Sequence, residues 1–129
     1  MQPNEEKLSF GRLLRYFREK SVDRHSRTHL SQDYFASKLT QKLGFIVTRN
    51  RVGNWETNKT RIPIEDREIL MVVLEVLSDY GGITIREQAD QMLEAGGYRT
   101  LNDEEALKIN PKWESNRFAE SVIEVFNSP

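Results

Sequence analysis

An all-helical fold is predicted by three features of this 129-residue sequence. Apolar residues recur at helical spacing along most of the chain, and capping residues stand just ahead of these stripes. Between them there is no alternating apolar run bounded by hairpin turns; Phe45 to Val47 is the one short candidate for a strand. The expected architecture is a bundle of about five helices followed by a C-terminal helical extension.

The elements follow in order. Phe10, Leu13, Leu14 and Phe17 fall at i, i+3, i+4 and i+7, which predicts a first helix from Ser9, its cap, to about Val22. Residues 21–29 lack periodicity and hold Arg24, His25, Arg27 and His29, a basic loop. Ser31 caps a second helix with Asp33 in its first turn, Tyr34, Phe35, Leu39 and Leu43 as apolar positions, and an end near Gly44. Phe45, Ile46 and Val47 make an apolar connector, Thr48 caps, and Val52 with Trp55 marks a third helix of about two to three turns. Pro63 opens a fourth helix whose face is Ile64, Ile69, Val73, Val76 and Leu77.

After Gly81 and Gly82, Thr84 and Glu87 suggest a capping box for a fifth helix carrying Ile85, Ala89, Met92 and Leu93, which Gly96 and Gly97 end in a left-handed conformation. Asn102 and Glu105 repeat the box ahead of a short helix that Pro111 interrupts. Residues 115–126 then place Phe118, Val122, Val125 and Phe126 on one stripe, which is expected to be buried with Trp113.

Composition narrows the function. The chain has no cysteine, so disulfide frameworks, thiolate nucleophiles and cysteine zinc sites are excluded, as suits a reducing cytoplasm. The first residues are polar and acidic, and the longest apolar run, Ile69 to Leu74, is too short to span a bilayer; export and membrane insertion are not expected. A net charge of −1 conceals a division: residues 1–62 carry thirteen Lys and Arg against six Asp and Glu, a balance of +7, and residues 63–129 a balance of −8. One phosphate-facing half and one acidic half that docks partners or stays solvated would produce this pattern, as would ordinary surface charge dealt unevenly.

Gly11, Leu14, Arg15 and Arg18 in the first helix, Leu30-Ser31-Gln32 and Phe35-Ala36 in the second, Leu43-Gly44 at the turn, and Val52, Trp55 and Glu56 in the third form an ordered set. In that order and spacing the chain resembles the phage-repressor, or Xre/Cro-like, helix-turn-helix family over Phe10 to about Leu77. The sequence departs from it by two insertions, about seven residues before helix two and about six between Ala36 and Val52, which loosens the expectation of a tight turn.

The resemblance implies a lambda-repressor-like DNA-binding domain over 1–80. The acidic extension over 81–129 would serve core completion, dimerisation or partner docking. It further implies a sequence-specific transcriptional regulator on double-stranded DNA in a prokaryotic, nucleoid-associated cytoplasm, with no cofactor and no catalysis. With Val52 and Trp55 turned inward, Arg49, Asn50, Arg51, Gly53 and Asn54 are left for base edges, since arginine pairs with guanine and asparagine with adenine. By the same resemblance Gln32 would bond a phosphate and buttress helix three, Asn58, Lys59 and Arg61 would follow the strand, and Glu56 would pair with a buried Arg15. Backbone N–H groups at Thr48 favour phosphate, and Arg24 and Arg27 of the inserted loop would reach phosphates only.

Blander readings stand beside these: residues 49–54 as a solvated helix face, His25 and His29 as loop histidines without a third metal ligand, and Asp103-Glu104-Glu105 as a helix-dipole cluster. The alternative function is a protein-interaction or N-terminal adaptor module of a larger signalling protein, docking a partner or its own copy through the C-terminal helices. An enzyme has no convergent nucleophile, base and orienter behind it.

Overall fold

The computed structural model describes residues 8–113. Six helices follow one another: α1 (Phe10–Lys20), α2 (Gln32–Leu43), α3 (Arg49–Glu56), α4 (Arg67–Asp79), α5 (Arg86–Ala95) and α6 (Asp103–Ile109). A helical turn over 111–113 comes after them. Among the described residues there is no strand, only an isolated antiparallel bridge between Val22 and His29. Phe45 to Val47 is a turn segment. Residues 115–126, with the stripe Phe118, Val122, Val125 and Phe126, lie outside the described residues. Among those described, no helix is long and apolar enough to cross a membrane.

The helices start where short polar side chains satisfy their first N–H groups. Ser9 Oγ accepts from Arg12 N, Ser31 Oγ from Tyr34 N and Thr48 Oγ1 from Arg51 N. At α6 the box closes as expected, with Asn102 Oδ1 accepting from Glu105 N and Glu105 Oε1 from Asn102 N. Two starts differ from the sequence reading. α4 begins at Arg67, and Pro63 and the exposed Ile64 belong to the connector, because Asp66 sits in a non-helical conformation ahead of it. At α5 the reach-back comes from Gln88, whose Oε1 accepts from Thr84 N at 2.8 Å; the residue at the cap is Ile85, which has no acceptor to offer Gln88 in return.

α3 is held between α1 and α2, α4 backs α2, α5 packs on α1 and α6 on α4. The apolar cluster runs from Phe10 to Trp113, so α5 and α6 bury their inner faces in the same core as α1 to α4. Leu14, Phe35, Leu39, Val52, Trp55, Leu74 and Leu77 lie at its centre, each worth about 1.5–3 kcal/mol relative to exposure. Tyr98 joins the two halves: its ring stands edge-on to Phe10 at 5.4 Å and its hydroxyl donates to Ile62 O at 2.6 Å.

The acidic half is fastened by charge as well. Arg67 at the start of α4 donates to Glu105 and to the Arg99 and Thr100 carbonyls, and Arg99 donates to Glu105 from the other side. The Arg67 hydrogen bond, opposed by partial burial and reinforced by Arg99, lowers the Glu105 carboxyl to about 2 from its ordinary 4.5. A depressed carboxylate adds stability that is complete above the unfolded value and is lost as the pH falls from about 4.5 through about 2. Glu105→Gln is therefore expected to destabilise by about 2 kcal/mol at pH 7 and to flatten the stability profile between pH 5 and 2, as read by urea unfolding at a series of pH values.

Candidate nucleic-acid interface

The segment over 48–61 owes its position to one buried ion pair. Arg18 and Glu56 are both nearly inaccessible, and Arg18 Nε and Nη2 donate to the two Glu56 carboxylate oxygens, the second at 3.0 Å. Arg18 Nη1 donates to Leu30 O at 2.7 Å and Gln32 Nε2 to Glu56 Oε1 at 2.9 Å. The end of α1, the start of α2 and the end of α3 thus meet on one fully hydrogen-bonded carboxylate, which is what makes a buried pair tolerable.

This corrects the expected partner. Arg15 lies on the solvent face, where it pairs with Glu19 one turn on at 3.2 Å. The buried stripe Phe10, Leu13, Leu14, Phe17 continues to residue 18, four after Leu14, whereas residue 15 is turned about 100° away from it.

A second constraint is steric. A Cβ built on Gly11 would lie 2.4 Å from Trp55 O and 2.6 Å from Glu56 O, so α1 touches the end of α3 backbone to backbone. Asn58, in the left-handed region at φ 60°, completes this contact: its Oδ1 accepts from Gly11 N at 3.1 Å and its Nδ2 donates to Ser9 Oγ at 2.8 Å. An asparagine tolerates that conformation better than most residues and here caps α1 from across the fold.

Held this way, α3 buries Val52, Trp55 and Glu56 and turns Thr48, Arg49 and Asn50 to solvent. Arg51 is half-buried, its guanidinium 5.5 Å from the Trp55 ring centre. Gly53 and Asn54 are also half-buried, and Gly53 lies beside the Gln32 amide. Arg49 comes within 3.9 Å of Asp33, but both are more than half exposed, so the pair is weak. Gln32 meets α3 through the Glu56 carboxylate and lies beside Gly53.

The flanking residues divide. Lys59 is exposed and pairs with no carboxylate among the described residues. Asn58 is engaged with α1, and Arg61 stacks 4.8 Å from the Tyr98 ring centre while donating to Gly96 O. Arg24 and Arg27 are exposed on the α1–α2 loop. Arg24 lines a cleft with Tyr34, Lys38 and Tyr80, on a side of α2 that α3 does not line. That loop is a closed hairpin in which Asp23 N donates to Thr28 O, Leu30 N to Ser21 O and Val22 N to Tyr80 O. Arg27 takes φ 60° at its turn.

Sequence reasoning missed the device that shapes the α2–α3 turn. Thr40 Oγ1 accepts from Val47 N at 2.8 Å and donates to Val47 O at 3.1 Å. Gly44, at φ 82°, ends α2. Val47 is buried, but Phe45 and Ile46 project outward. Among the described residues no group of three or more His, Cys, Asp or Glu side chains is arranged to hold a metal.

Comparison with family models, curated proteins and solved structures finds no match to this chain.

Replacing one member of the buried pair, as in Arg18→Met or Glu56→Gln, should cost about 3 kcal/mol, while Arg15→Ala should stay within about 0.5 kcal/mol, both read by urea unfolding. Gly11→Ala should cost about 1–3 kcal/mol, since backbone cannot yield as a flexible side chain does, and an unchanged melting temperature would contradict the close contact.

Proposed function

We propose that this chain is a sequence-specific double-stranded DNA-binding module acting in transcription regulation without catalysis, and that it presents α3 to the major groove in the manner of the Xre/Cro-like helix-turn-helix proteins it resembles. The observation that carries this reading is the asymmetry of α3. Its inner face is locked by Val52, Trp55 and Glu56, while its leading end is exposed and basic, with Thr48, Arg49 and Asn50 outermost. A short helix with no acidic residue in its first turn and a fixed orientation suits a polyanion.

Within this proposal Arg49 and Asn50 read base edges, Arg49 preferring guanine and Asn50 adenine. Arg51, Gly53 and Asn54 lie further along the same face, and Arg51 is partly committed to Trp55. Thr48, Gln32 and Lys59 meet phosphates. Asn58 and Arg61 shape the loop that carries Lys59, and Arg24 and Arg27 add sequence-independent attraction from the side.

The test is a titration of the 129-residue chain on a duplex recovered from a random pool and on a scrambled duplex, at several salt concentrations. Arg49→Ala should cost on the order of 1–3 kcal/mol on the recovered site and level the preference between duplexes. Lys59→Ala or Arg24→Ala should weaken both duplexes alike and lower the salt slope by about one. No salt-dependent binding to any duplex at about 50 mM salt would overturn the proposal and favour the interaction-module alternative.

A further inference from the structure

Two large apolar side chains stand in solvent beside the leading end of α3. Ile46 is 77% exposed, the highest value for a large hydrophobic side chain among the described residues, and Phe45 before it is 44% exposed. Scattered exposed apolar residues need no explanation, but this pair differs in being consecutive and in standing between two hydrogen-bonded anchors. Gly44 N donates to Thr40 O at 2.9 Å on one side, and Val47 is tied twice to Thr40 Oγ1 and buried on the other. Only two residues span the interval between these anchors. Asparagine, aspartate, serine or glycine would suit such a turn better than phenylalanine and isoleucine.

The setting indicates what covers them. Ile46 precedes the Thr48 cap by two residues, which places its Cα within about 7 Å of that of Thr48, at the end of α3 where Arg49 and Asn50 are exposed. A partner surface here must match Arg49 and Asn50 as well as the apolar pair. The major groove does both, since its guanine edges and phosphates suit arginine and the C5-methyl of thymine is its apolar feature.

Resting on the DNA-binding reading above, we infer that Ile46 is a specificity-determining residue that contacts a thymine methyl at the edge of the site read by α3.

Deoxyuridine removes that methyl and nothing else, so the experiment replaces each thymine of the recovered duplex by deoxyuridine in turn and titrates the full chain, Ile46→Ser and Ile46→Val. At one or two thymines the replacement should cost the unmodified chain about fourfold in affinity, the worth of one buried methyl. Ile46→Ser should lose about as much on the thymine duplex and nothing further on the deoxyuridine duplex, whereas Ile46→Val should retain most of the discrimination. Because Ile46 is exposed, the melting temperature of both variants should be unchanged.

The inference is overturned if deoxyuridine costs the unmodified chain and Ile46→Ser equally at every position, if the recovered motif has no thymine, or if Ile46→Ser alters sedimentation and leaves DNA affinity intact. Failure to enrich any motif, with no salt-dependent retention, strikes the DNA-binding reading itself and this inference with it.

Discussion

The carboxylate of Glu56 is the point on which three helices agree. It receives Arg18 from α1 and Gln32 from α2 while belonging to α3, and the same guanidinium reaches the carbonyl of Leu30, where the chain turns into α2. Apolar packing alone would let short helices slide or rotate, because dispersion contacts have little directional preference. An eight-residue helix such as α3 has little independent stability and takes its orientation from its surroundings. A planar guanidinium and a carboxylate meet in few geometries, so the pair fixes the rotation of α3 about its own axis and with it which side chains face out.

Much of the fold was legible because burial follows the helical period. Ser9, Ser31, Thr48 and Asn102 cap as their positions indicated, and the stripes of α1, α2 and α4 are largely the buried ones. The misreadings have separate causes. Choosing Arg15 over Arg18 followed a family pattern where the stripe of α1 itself pointed to position 18. Reading a helix from Pro63 gave weight to a permissive residue, when the connector has to run out to bury Ile62 under Tyr98 before α4 begins. Phe45 to Val47 read as a uniformly apolar connector because composition carries no direction. Only the bond pattern of Thr40 separates the inward Val47 from its outward neighbours. At the candidate interface the inward Val52 and Trp55 of α3 were readable from spacing, whereas the burial of Glu56 was suggested only by the family resemblance. The commitment of Asn58 and Arg61 to tertiary contacts was not readable, since both partners lie far along the chain.

The charge asymmetry acquires a structural meaning from the ion pairs. In the acidic half the described arginines work internally: Arg67 and Arg99 enclose Glu105, and Arg86 holds Asp103 and the Leu101 carbonyl. In the basic half only Arg18 is buried in such a role, and Arg24, Arg27 and Lys59 have no carboxylate partner among the described residues. Positive charge is neutralised where it fastens helices together and left without a carboxylate partner at Lys59, just past α3, and at Arg24 and Arg27 on the α1–α2 hairpin.

The hairpin between α1 and α2 leaves the core and returns to it at nearly the same point, with Leu30 N bonded to Ser21 O and Val22 N to Tyr80 O. A Cβ at Gly82 would lie 2.1 Å from Ser21 Oγ and 2.3 Å from Phe17 O, so the root of the hairpin is wedged against the end of α4. Beyond that root the tip bonds mainly to itself, Arg27 N and Ser26 Oγ both donating to Asp23, while Arg24 borders the cleft beside α2. Lengthening the tip costs only loop-closure entropy, roughly 0.6 kcal/mol for each doubling. Chain length between the first two helices is thus a free variable of this architecture, and the hairpin tip is a natural place to graft a tag or a spectroscopic label without tilting α3.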